Sequence, residues 1–182
     1  MYFTSEVLIV ILVSHKQFFD VVGSFLRPEN LKQARIQFEK GQIDSHELKQ
    51  VEDKAITELI KKEKQAGLKV ITDGEFRRAT WHLDFMWAFE GIGHAPTNTG
   101  LPFHDETAKI DDTFLVGKVE LTKEHPFIEH FHFVQQFEDE TTVAKLTIPA
   151  PAQFIEQFIM PMNREQTNKY YANDQDLLED IV

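Results

Sequence analysis

The chain has no cysteine, which excludes a disulfide, a thiolate nucleophile and a thiolate-ligated metal at any of its 182 residues. Basic side chains are scarce as well, 19 Lys and Arg against 30 Asp and Glu, for a formal net charge of −11. That balance argues against a nucleic-acid partner, since a phosphate backbone is bound by a cationic face. The apolar run Val7–Val13 has seven residues, far fewer than the roughly 20 that span a bilayer. It is preceded by Glu6 and by no Lys or Arg, so the charged start of a signal peptide is missing. The expectation is an acidic, cytoplasmic protein with no membrane or nucleic-acid partner. There is no repeat, low-complexity segment or linker, and the length suits one domain. With 42% hydrophobic residues and sixteen Phe, its core is strongly aromatic. Residues 1–17 look unlike the rest of the chain and read as an extension, either a strand or unstructured.

The remaining chain alternates strand and helix signals. Phe18–Val22 reads as a short apolar strand that ends at Gly23-Ser24, where a glycine permits close approach of a ligand and the Ser hydroxyl and amides suit a carboxylate. Pro28 sits in the first turn of a helix carrying Leu31, Ala34, Arg35 and Phe38, stopped by Gly41. Asp44 with Glu47 forms a capping box. It opens a second helix with an apolar stripe of Leu48, Val51, Ala55, Ile56, Leu59 and Ile60, and Glu52, Asp53 and Glu58 outside it. Gly67 is the left-handed residue after that helix, and Lys69–Thr72 follows as a buried strand. Short connections imply a right-handed parallel crossover.

Residues 91–112, broken by Gly93, Pro96, Asn98, Gly100 and Pro102, read as a long functional loop. Thr113–Leu121 is a third strand with Phe114, Val116, Val119 and Leu121 as its apolar positions. Pro126 starts a helix lined by Phe127, Phe131 and Val134. On that helix His130 and His132 point roughly 200° apart, so they are not a metal pair. Thr142–Thr147 is a fourth strand, ended by Pro149 and Pro151. Two helical segments, Gln153–Met160 and Asn163–Val182, complete the chain.

The chemistry-bearing stretch is Lys69–Arg78, an apolar run that gives way to Asp73, Gly74, Glu75, Arg77 and Arg78. In parallel α/β sheets and barrels the C-terminal strand ends carry the site, because loops there vary on a rigid scaffold. Asp73-Gly74 also suits an ordinary turn with solvated charges beyond it. His82 and Asp84, in Trp81-His82-Leu83-Asp84-Phe85-Met86-Trp87, are second-tier candidates beside an aromatic cluster.

Taken in order, Val22-Gly23-Ser24-Phe25-Leu26-Arg27-Pro28, Gly67-Leu68, Thr72-Asp73-Gly74-Glu75-Phe76-Arg77-Arg78 and Trp81-His82-Leu83-Asp84-Phe85 resemble the cobalamin-independent methionine synthase family. The closest likeness is to short bacterial relatives made of the catalytic barrel alone. The resemblance implies a (β/α)8 TIM barrel, methyltransferase activity in methionine biosynthesis, zinc, homocysteine as acceptor and a methyltetrahydrofolate as donor. It assigns Val22, Gly23 and Ser24 to the amino-acid end of homocysteine, and Glu75 to its ammonium group. The charges agree, since a carboxylate requires amide and hydroxyl donors and an ammonium requires a carboxylate. Lys118 falls near the family's folate-contacting strand end, with Asp73 a further candidate.

The family's zinc is held by a His-x-Cys pair, a Glu and a second Cys in the later half of the barrel, and no Cys is present here. The expectation is therefore that residues 18–182 supply only about the first four β/α units. Such a chain is either an incomplete methyltransferase of the 5-methyltetrahydropteroyltriglutamate–homocysteine type or a non-catalytic binding or assembly module. Unpaired sheet edges would favour self-association or a complementary second-half chain. A barrel enzyme using Asp73 and Glu75 as acid and base is a third reading.

Overall fold

The computed structural model describes residues 21–97, 101–103, 106–108 and 111–181. The expected extension and most of the Phe18–Val22 strand lie outside them, and Val21 and Val22 are not in a strand. Six strands and seven helices occur among the described residues. In chain order they are α1 Glu29–Glu39, α2 Ser45–Gln65, β1 Val70–Ile71, α3 Leu83–Met86, β2 Glu90–Ala95, β3 Leu101–Phe103, β4 Glu106–Ala108 and β5 Asp112–Glu120, then α4 Pro126–Gln135, β6 Val143–Ala144, α5 Pro151–Ile159, α6 Pro161–Thr167 and α7 Asp174–Ile181.

The strands form three two-stranded sheets. β1 and β6 pair in parallel, Val70 with Val143 and Ile71 with Ala144, as expected for neighbouring barrel strands. The other pairs, β2 with β5 and β3 with β4, are antiparallel. The expected row of four parallel strands is therefore corrected. Thr113–Leu121 is no neighbour of Lys69–Thr72, because β5 is taken up by β2, and β2 arises where a loop was expected. Within β5 the buried residues are Thr113, Leu115 and Val119, whereas Val116, and Leu121 just after the strand, are exposed. The inward face at the start of the strand is thus displaced by one residue from the expected one, which turns every side chain there over.

The parallel unit is built from local signals. The Asp44 side chain accepts from the Glu47 amide, the Glu47 side chain accepts from the Asp44 amide, and α2 begins there. At the other end Gly67, at φ 84°, donates to the Lys64 carbonyl while Leu68 donates to that of Glu63. This double closure is a Schellman motif, and it turns the chain directly into β1. Pro28 stands one residue outside α1, as its N-cap rather than in its first turn. Leu31 of α1, Ala55, Ile56 and Ile60 of α2, Ile71 of β1, Phe76, Val134 of α4 and Ala144 of β6 form one buried core.

The antiparallel unit has its own core of Leu83, Met86, Ile92, Leu115, Val119, Phe154, Phe158, Tyr171 and Leu177. The pairing of β2 with β5 shifts register between Glu90 and Ile92. Gly91 occupies the irregularity at φ 81°, and a Cβ placed there would lie 1.9 Å from the Lys118 carbonyl oxygen. Only glycine fits that bulge. The outer edge of β5 is capped by side-chain amides: Gln157 and Asn163 donate to the Thr113 carbonyl and Gln166 to that of Leu115. Pro151, expected to end the fourth strand, opens α5 at its first position, where the missing N–H has no role.

Candidate functional site

The chain leaves β1 through Thr72 and Asp73 into two consecutive residues with positive φ, Gly74 at 66° and Glu75 at 58°. Left-handed backbone is uncommon for a residue such as Glu, and such strain concentrates at functional loops. The strain is held by several bonds. Asp73 Oδ1 accepts from the Glu75 amide at 2.9 Å, and the Glu75 carbonyl accepts from Arg27 at 2.9 Å. A Cβ on Gly74 would meet Leu59 at 2.5 Å, so the loop lies tight on α2.

This loop is joined to the Gly23-Ser24 segment. The Phe25 amide donates to the Gly74 carbonyl at 3.1 Å, and the Thr72 hydroxyl oxygen is 2.9 Å from the Gly23 carbonyl oxygen. Gly23 is buried at φ 130°, and Ser24 beside it is exposed. The two motifs expected to hold the amino-acid end of homocysteine thus meet at one corner, at the C-terminal end of β1.

The Glu75 carboxylate is only 14% exposed and its Oε1 is shared by two partners, the Thr147 hydroxyl at 2.9 Å and the Arg78 guanidinium at 3.3 Å. Arg78 is buried and is itself fixed by the Thr147 and Trp81 carbonyls and by the face of Phe127, 4.7 Å from the ring centre. Glu75 is therefore preset, pointing one carboxylate oxygen at fixed donors. Asp73 is buried, with Oδ2 unpartnered among the described residues.

The second-tier candidates divide. The Asp84 carboxylate is consumed by the 79–84 turn, accepting from the Ala79 and Thr80 amides and from the Thr80 hydroxyl at 2.7 Å. His82 lies against Trp81, their tilted rings 4.2 Å apart between centres, and burial lowers its pKa. Trp81 and His82 line a cleft of about 140 Å³ with Gln153, Glu156, Gln157 and Met160. Lys118 belongs to the antiparallel unit, its ammonium 5.4 Å from the centre of the Tyr171 ring.

Two buried carboxyls on α2 were not among the sequence candidates. Glu52, placed outside the apolar stripe, is buried and paired with Arg35 at 3.1 Å and Arg77 at 3.9 Å. Burial raises its pKa against the pull of those guanidiniums. Glu63 is buried beneath Thr72, 3.1 Å from both its amide nitrogen and its hydroxyl oxygen. The visible signal was helical spacing alone: Glu52 is one turn before Ile56 and Glu63 one turn after Ile60, on the inner side of α2. Their polarity hid it.

An α/β unit whose first parallel strand ends in a strained, carboxylate-bearing loop is the class of structure these residues define. A model of the family described as "Cobalamin-independent synthase, Catalytic domain" matches residues 19–101. The uncharacterized protein YxjG of Bacillus subtilis strain 168 is 37% identical over 132 residues, which is 72% of this chain and 34% of that protein. Methionine synthase of Saccharolobus solfataricus is 27% identical over 163 residues, 89% of this chain and 45% of that one. A crystal structure from Listeria monocytogenes, described as a vitamin-B12-independent methionine synthase, superposes with a TM-score of 0.62 at 31% identity, covering 89% of this chain and 48% of that chain. A B12-independent methionine synthase from Shewanella sp. W3-18-1, solved with selenomethionine, superposes at 0.51 and 19% identity, which speaks to the fold alone. Residues 19–101 thus match the catalytic domain of the cobalamin-independent methionine synthase family, and the chain is similar to members of that family beyond that stretch. It spans about a third to a half of the length of the curated relatives it matches.

The family's zinc has no set of ligands among the described residues, where no group of three or more His, Cys, Asp or Glu side chains is placed to hold a metal ion. The described residues do not fit the metal. No helix among the described residues is long and apolar enough to cross a membrane.

Proposed function

We propose that this chain supplies the amino-acid-binding corner of a methyltransferase of the methionine synthase type, with homocysteine as acceptor and a methyltetrahydrofolate as donor. The observation that carries this reading is the junction of the Gly23-Ser24 segment with the Asp73–Glu75 loop through the Phe25 amide and the Thr72 hydroxyl. The selenomethionine bound by the Shewanella relative is of the same chemical class as the ligand proposed here. At this corner the exposed Ser24 hydroxyl donates to the ligand's carboxylate and the Glu75 carboxylate accepts from its ammonium. Thr147 and Arg78 hold Glu75 in place before the ligand arrives, so little conformational entropy is lost on binding. Asp73 fixes the Glu75 amide and keeps the loop in its left-handed turn.

Titration calorimetry with L-methionine tests the reading. The wild-type chain is expected to bind saturably, and Glu75→Gln to weaken binding about tenfold or more, since a hydrogen bond to a charged group contributes about 1.5–3 kcal/mol. Equal affinities for the two proteins would refute the assignment of Glu75.

A further inference from the structure

Thr72 Oγ1 is surrounded by three partners but carries one proton. It lies 2.9 Å from the Gly23 carbonyl oxygen and 3.1 Å from Glu63 Oε1, and it accepts from the Gly74 amide at 3.2 Å. The Gly23 carbonyl can only accept. If Glu63 were ionised it could also only accept, and one hydroxyl proton would have to serve two acceptors. If Glu63 carries a proton, every contact is satisfied in a single direction. Glu63 O–H donates to Thr72, Thr72 O–H donates to Gly23, and the Thr72 amide donates to the second Glu63 oxygen at 3.1 Å.

The surroundings favour the neutral form. Glu63 is 2% exposed, and no ion pair among the described residues includes it. The 72–75 loop faces it with Asp73, a like charge. β1 and residues 21–24 bring no ionisable side chain, and Lys145, beyond β6, donates to the Val21 carbonyl. A buried carboxylate without a cation or a full set of donors takes up a proton rather than remain charged. Burial accordingly raises the Glu63 pKa, against the opposing pull of the Thr72 hydrogen bonds.

We propose that Glu63 is a positioning residue, a neutral carboxylic acid that orients the Thr72 hydroxyl onto the Gly23 carbonyl and so locks the two loops of the ligand-binding corner together. Its effect on ligand affinity rests on the amino-acid-binding reading of that corner, but its protonation and its effect on the loops do not. Glu63→Gln replaces the acid with a neutral group that still donates to Thr72 Oγ1 and accepts from the Thr72 amide. Glu63→Leu removes both bonds while keeping the site apolar.

The experiment combines three measurements on the full chain: infrared spectroscopy at pH 7, amide hydrogen exchange at Gly74, and calorimetry with L-methionine. Expected are a carboxylic-acid band in the wild type that Glu63→Gln removes, and exchange at Gly74 about tenfold faster in Glu63→Leu but near wild type in Glu63→Gln. Methionine affinity should follow the same order, about tenfold weaker in Glu63→Leu and within about twofold in Glu63→Gln. Absence of the band, or Gly74 exchange unchanged in Glu63→Leu, would overturn the proposal. Wild-type chain that shows the band and the exchange pattern yet binds no methionine would retain Glu63 as the lock and defeat the functional reading alone.

Discussion

The parallel and antiparallel units spend their polar groups differently. In the antiparallel unit polar side chains complete one another: the Tyr171 hydroxyl accepts from the Val119 amide at 2.7 Å and donates to Asp180 at 2.8 Å, and Trp87 donates to the Thr113 hydroxyl at 2.9 Å. The parallel unit instead concentrates buried ionisable groups, with Glu52, Glu63, Asp73 and Arg78 all buried and the Asp73 Oδ2, Arg27 Nε, Arg35 Nε and Arg77 NH1 atoms unpartnered among the described residues. It also contains Glu75, the one non-glycine residue with positive φ among the described residues. Buried polar groups left short of partners cost stability. On the proposed function, the difference leaves stability chiefly to the antiparallel unit and ligand binding to the parallel one.

The largest expected effect breaks the antiparallel unit without touching the corner. Gly91→Ala forces a Cβ against the Lys118 carbonyl in left-handed backbone and is expected to destabilise by about 3 kcal/mol or more, the sum of the left-handed penalty and overpacking. Denaturant unfolding measures the loss. Methionine binding by the protein that remains folded should be unchanged, and a parallel loss of affinity would show that the two units do not divide the work.

Tyr171→Phe is the intermediate case. It leaves the buried Val119 amide without its acceptor and is expected to cost about 1–3 kcal/mol. The hydroxyl's own pKa, pushed up to about 12 chiefly by burial and further by Asp180, keeps it protonated and donating across the accessible range. The cost should therefore be the same at pH 6 and pH 9, and a pH-dependent difference would contradict the donor role toward Asp180.

A smaller effect, confined to acid, is expected from the parallel unit. Burial and the neighbouring Arg77, Arg78, Lys49 and His125 lower the His130 pKa from 6.5 to about 4. The unfolded chain then binds a proton that the folded chain refuses, so this contribution to stability is present above about pH 6.5 and is lost as pH falls toward 4. Replacing His130 with Gln should flatten that part of the stability profile. Identical acid profiles for the two proteins would show that His130 makes no such contribution.

Much of the parallel unit was legible because its signals are local. The capping box of Asp44 and Glu47, the left-handed Gly67 and the apolar Val70-Ile71 each act within a few residues, and the loop at Asp73–Glu75 follows from them. The antiparallel pairing was not legible. Glu90–Ala95 contains two glycines and no apolar alternation, and it becomes a strand only because β5 reaches it from about twenty residues away. Likewise Glu52 and Glu63 share a helical face with Ile56 and Ile60 but read as solvated by their charge, and their burial depends on Arg35, Arg77 and Thr72, which other segments supply. The fate of Asp84 was hidden for the same reason, since its partners are the backbone amides of a turn.

The most direct test of the division is to follow backbone amide resonances while L-methionine is titrated into the full chain. The amides of Gly23, Ser24 and Glu75 are expected to shift together along one saturation curve while those of β2 and β5 stay in place. Shifts confined to β2 and β5, or no saturable shift at Gly23, Ser24 and Glu75, would contradict an amino-acid-binding corner at the end of β1.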